Sequence, residues 1–166
     1  MLHGLPGWLP TILESRGMAS GTAGQTATLL VVANAAGILT IPVLADRYDA
    51  RRVAVVCCGA AVAVGVATIA RTGVGVALLA GIVCTGLGVG GLSPLVRAIP
   101  PELDGIGPRL TGVAVGFVFA GGEVGGFGGP VVIGALYDAT GTYATGLGLL
   151  CLGGLAAVAA GTRLDV

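Results

Sequence analysis

"PVLADRYDARRV", residues 42–53, carries Asp46, Arg47, Asp49, Arg51 and Arg52 within seven consecutive positions, while the runs 22–44 and 53–69 on either side carry no charge at all. The chain of 166 residues has only eight arginines, no lysine and eight acidic residues, so close to a third of its charge is gathered in one short turn. A helix that crosses a bilayer needs about 20 predominantly apolar residues, because each residue advances about 1.5 Å through a hydrocarbon core about 30 Å thick. Both flanking runs meet that length. The charged stretch is therefore a polar turn between two spanning helices.

Outward from this turn the same pattern repeats. Residues 74–99, 110–137 and 143–162 form three further apolar runs, and Glu123 is the one charge deep within any of the five. Composition agrees: the chain is 55% apolar and 10% charged, against about 25% charged in a soluble domain. Mean hydropathy is +0.99. The expected fold is all-α and membrane-embedded, one transmembrane helical domain over residues 1–166. Residues 1–17, "MLHGLPGWLPTILESRG", are too short to span. They predict the tail of a helix whose first part is absent, capped by Gly17, with an interfacial segment as the alternative.

Arginines beside spanning helices concentrate on the cytoplasmic side. If the turn at 45–52 is cytoplasmic, alternation places Arg97, Arg109 and Arg163 with it and leaves only Arg16 and Arg71 outside, a bias of six to two. The expected location is the plasma membrane, with several passes.

Several chemistries are poorly served. Net charge is zero and no basic run is interleaved with aromatics, which argues against nucleic acid. Cys57, Cys58, Cys84 and Cys151 lie in apolar runs without a CxxC pair, and His3 is the sole histidine. Four buried thiols are expected, with no disulfide framework, metal site or cofactor. The lack of HExxH, GxSxG and GxxxxGK[ST] patterns argues against an enzyme and against nucleotide hydrolysis.

The 32 glycines suit a bilayer, where helices associate by close backbone approach at small residues spaced four apart. Gly112, Gly116, Gly121, Gly125 and Gly129 predict such a face on the fourth span. "GLGVGG", residues 86–91, matches GxGxxG, but it lies inside an apolar span, where amides committed to a helix cannot cradle a pyrophosphate. Close packing is its expected role.

"PVLADRYDARR" resembles the cytoplasmic loop of the major facilitator superfamily, written G-x-x-x-D-R-x-G-R-R. Asp46, Arg47, Arg51 and Arg52 fit, while Pro42 and Asp49 stand at the two glycine positions and Ala50 at an arginine position. "GWLPTILESRGMASGTAG", residues 7–24, resembles the outer end of the family's seventh helix running into the eighth. "GGPVVIGALYDATGTY", residues 128–143, resembles the close of the eleventh leading into the twelfth. The resemblance implies an incomplete carboxy-terminal half of a transporter, with its two halves rocking about a contact at this loop. It further implies that Asp46 meets the positive start of a helix in the other half, while Arg47 and Arg51 bridge to nearby carboxylates or carbonyls.

Glu123 sits where a charge costs from a few to more than ten kcal/mol, so it must be neutral, paired or wet. Its neighbours, "FAGGEVGGFGGP", end at Pro130, which removes a backbone hydrogen bond and kinks helices. Glu123 is thus a candidate for binding protons or a polar substrate group, with Asn34 and Gln25 as polar companions. A hydrogen bond from a protonated Glu123 to another helix is the structural alternative. The function expected is secondary transport of a small solute by alternating access, with a coupling ion or proton and a complementary half or a second copy as partner. The alternative is a non-transporting membrane scaffold or assembly subunit.

Overall fold

The computed structural model describes residues 4–98 and 108–164. These fold into α1 (Gly4–Ser15), α2 (Ser20–Arg47), α3 (Arg51–Arg71), α4 (Val76–Ala98), α5 (Pro108–Thr140) and α6 (Ala144–Gly161). Helices α2 to α6 are long and apolar enough to cross a membrane. The short α1 spans 12 residues, about 18 Å at the helical rise, well under a hydrocarbon core. Among the described residues there is no strand.

The helices touch in a ring, α2 to α4, α4 to α3, α3 to α6, α6 to α5, α5 to α1 and α1 back to α2. The contacts α2–α4, α3–α4 and α3–α6 are by far the most extensive. Glycine explains why. A Cβ on Gly37 of α2 would lie 2.5 Å from the Leu87 carbonyl oxygen, and one on Gly86 of α4 2.7 Å from that of Leu30. A Cβ on Gly90 would run into the carbonyl of Asn34. Gly88 sits equally tightly on the Cys58 carbonyl of α3, at 2.6 Å, and Gly59 and Gly154 bring α3 against α6. The "GLGVGG" string is therefore a two-sided packing surface on α4, facing α2 on one side and α3 on the other.

The glycine face expected on the fourth span is corrected by the structure at its first three positions. Cβ atoms on Gly112, Gly116 and Gly121 of α5 would meet nothing within 4 Å. Spacing four shows that a helix can be approached closely, but it does not say where a partner stands. Helix α5 is held mainly in its C-terminal part, where Ile133 is buried against Gly146 and the indole Nε1 of Trp8 donates to the Pro130 carbonyl at 3.0 Å. Trp8 also lies 5.8 Å from the Tyr143 ring, which stacks on Tyr137 at 4.2 Å. The expectation of four buried thiols is corrected as well. All four cysteines are free, but only Cys58 is buried, Cys151 is half-buried, and Cys57 and Cys84 are exposed on the bundle's outer surface. An apolar run does not distinguish a lipid-facing position from a core one, since both media accept a thiol.

The turns follow from local chemistry. After α1, Gly17 takes a φ of +88°, and the Met18 and Gly17 amides return to the Leu13 and Glu14 carbonyls. These paired bonds close the helix as the cap expected at Gly17 would. Arg16 then reaches across to donate to the carbonyls of Ile69 and Thr72 at 2.6 and 2.9 Å, placing a cation on the carbonyl end of α3 where the helix dipole favours it. Arg16, the end of α3 and Tyr143 thus share one end of the bundle. Ala45, Val55, Leu95 and Leu164 cluster at the other, next to the charged turn.

Candidate functional site

The charged turn is built by the end of α2. Asp49 adopts a φ of +47°, the left-handed conformation, while the Ala50 and Asp49 amides bond back to the Ala45 and Asp46 carbonyls at 2.9 and 3.3 Å. This closure needs one residue at positive φ, which glycine enters without a Cβ penalty and Asp tolerates better than most. That gives a physical reason for glycine in the family pattern at the position where this chain has Asp49. Asp49→Gly is expected to raise stability by about 0.5–1 kcal/mol, and Asp49→Val to lower it. Thermal unfolding in detergent checks both directions; a destabilised Asp49→Gly variant would refute the strain.

Reversing the chain so tightly brings α3 back beside α2. The Arg51 Nε lies 2.7 Å from the Asp46 Oδ1, their side chains 27% and 55% exposed. An ion pair so open to water contributes at most about 1 kcal/mol, so it can exchange partners at little cost. Arg52 instead donates to the Thr162 carbonyl at 2.6 Å, just beyond the end of α6. The turn therefore fastens three helix ends, with Arg47 exposed beside them. Sequence reasoning placed Asp46, Arg47, Arg51 and Arg52 together, and the structure brings them together.

A cleft of about 430 Å³ opens where α1, α2, α3, α4 and α6 face one another. Asn34, half-buried on α2, lines it, as do Ser93 and Arg97 of α4. Gln25 is exposed and Glu123 is exposed, and neither lines the cleft. The three polar residues proposed as companions are thus not gathered in one pocket. Pro130 sits inside a helix that continues through it to Thr140.

Helical register nevertheless gives Glu123 a side. At 3.6 residues per turn it shares a flank of α5 with Phe119 and Gly134, and the exposed apolar stripe of Val113, Phe117, Val124, Phe127 and Val131 borders that flank on one side. Phe119 lies under the Arg97 guanidinium, 4.6 Å from its carbon to the ring centroid, and Gly134 faces the Trp8 ring. The acid therefore stands on the flank that turns toward α4 and α1, beside Gly112 and Gly116, where nothing packs. Sequence reasoning used Arg97 only for topology, did not single out Phe119 and gave Ser93 no chemistry. The signal was available: Gly86, Gly90, Ser93 and Arg97 recur at spacings of four, three and four, one continuous face of α4.

A family model described as Major Facilitator Superfamily matches residues 4–165. No curated protein and no solved structure gives a significant match. The match takes in the charged turn and all six helices. The chain is a multi-pass membrane protein and belongs to the major facilitator superfamily, whose members are transporters.

Proposed function

We propose that this chain serves secondary active transport, moving a small solute by alternating access on the energy of an ion or solute gradient. The observation that carries this is the turn at 46–52, where an exchangeable Asp46–Arg51 pair and the Arg52–Thr162 bond join the ends of α2, α3 and α6. A contact that must form and break in every cycle works best when its bonds are charged, exposed and individually weak. Released from Arg51, Asp46 can accept from the start of a facing helix, whose unpaired amides attract an anion.

The facing helices come from a complementary half or a second copy, and the turn lies on the cytoplasmic side of the plasma membrane. The loose packing of α5 supports such a partner, since its inner half has open glycines and an acid that lipid cannot satisfy. In this scheme Glu123 takes up protons or a polar group of the solute, and Asn34 contacts the solute in the cleft.

The test is uptake of radiolabelled carboxylates, amino acids and sugars by cells producing the full chain, under an imposed proton gradient. Asp46→Asn is expected to slow uptake about tenfold, a barrier change of about 1.4 kcal/mol, while leaving thermal stability nearly unchanged. Absence of gradient-driven uptake across the panel, or full activity in Asp46→Asn, would refute the proposal and leave the scaffold alternative.

A further inference from the structure

The cleft is asymmetric along its length, which restricts what fits it. Leu30, Val66 and Leu150 line its outer part, while Ser93 and Arg97 stand at its inner end and Asn34 between. Helix α2 runs from the outer end to the charged turn and α4 runs parallel to it, as the contacts of Gly86 with Leu30 and of Gly90 with Asn34 require. Along α4 the lining extends from Gly86 to Arg97, about 16 Å at the helical rise. The volume falls within the range of small-molecule sites, about 300–1,000 Å³.

The charge in the cleft has one sign. Arg97 is its only charged lining residue, and no carboxylate forms an ion pair with it among the described residues. Glu123 stands one turn along α5 from Phe119 and does not line the cleft. The Phe119 ring lies against one face of the Arg97 guanidinium, and the planar N–H edge of a guanidinium matches a carboxylate with two parallel hydrogen bonds. A cationic ligand would meet Arg97 unfavourably. A sugar would leave most of its hydroxyls against leucine and valine without partners.

We propose that the cleft binds an amphipathic monocarboxylate, with its head on Arg97, assisted by Ser93 and Asn34, and its apolar body between Leu30, Val66 and Leu150. As a transported solute this ligand rests on the function proposed above; as a ligand of the cleft it stands on the binding measurement alone.

The full chain in phosphatidylcholine nanodiscs is titrated with carboxyl-labelled decanoate, followed by its carbon resonance, and with decanol as the uncharged counterpart. Decanoate is expected to bind about tenfold or more tightly than decanol, the difference expected of a charge-assisted pair. Arg97→Gln should abolish that preference without altering decanol binding, and Arg97→Lys should restore part of it. Benzoate, which stays in water, separates an aqueous supply of ligand from a bilayer one, since only decanoate partitions strongly into lipid. Equal affinity for decanoate and decanol, or an unchanged preference in Arg97→Gln, would overturn the site. Uptake of another solute by a chain that shows no such preference would leave the transport function standing, whereas decanoate binding without uptake would preserve the site alone.

Discussion

Alanine at Gly90 is expected to destabilise the bundle by about 3 kcal/mol or more, enough to deplete folded protein in detergent. The added methyl would fall on the Asn34 backbone carbonyl, and backbone cannot rotate away as a side chain can. Helices α2 and α4 must then separate, and the neighbouring approaches at Gly37 and Gly86 loosen with them. In the bilayer this loss is not offset by water, because lipid tails and leucine are equally apolar and association rests on packing. Gly112→Ala and Gly116→Ala are the matched controls. Their methyl groups meet nothing within 4 Å, so stability should hold or rise by up to about 1 kcal/mol from helix propensity. Melting temperature and the monodisperse fraction on gel filtration read the contrast. A Gly90→Ala variant as stable as its parent, or a Gly112→Ala variant as damaged, would show that the close approaches lie elsewhere.

Glu123→Gln is expected to reduce gradient-driven uptake at least about tenfold and to flatten its pH dependence, with little change in melting temperature. The side chain is exposed, on the flank of α5 shared with Phe119 and Gly134, so its replacement removes no packing. Glutamine keeps the shape and hydrogen-bonding capacity and loses only the exchangeable proton. Glu123→Leu is the companion variant. If the flank met only lipid, leucine would stabilise the chain by a few kcal/mol, since the burden of a polar group in hydrocarbon disappears. Unchanged uptake and unchanged pH dependence in Glu123→Gln would remove this acid from the mechanism.

Length and hydropathy alone made the helices legible, because a bilayer allows few ways to satisfy a backbone and the helix satisfies all its bonds internally. The charged turn was legible for the same reason: Asp46, Arg47, Arg51 and Arg52 had nowhere else to stand. Relative placement was not. Gly88 and Gly116 look alike as letters, yet one rests on the Cys58 carbonyl and the other faces open space, and only the third dimension separates them. Arg97 escaped notice because its position at a helix end has a sufficient topogenic explanation, which hid its contact with Phe119. Pairing Glu123 with Asn34 and Gln25 treated mid-span polarity as one class. Helix direction and rotation instead put the three on different surfaces.

The bond from the Trp8 indole to the Pro130 carbonyl has a mechanical result. Proline lacks the amide that would brace the preceding turn, and the segment before it is mostly glycine, so the rod is weakest just inside the point where it is bolted. Force applied at the N-terminal tip of α5 is therefore expected to flex the stretch 121–130, moving Glu123 with it, while the tyrosine stack beyond the pivot stays still.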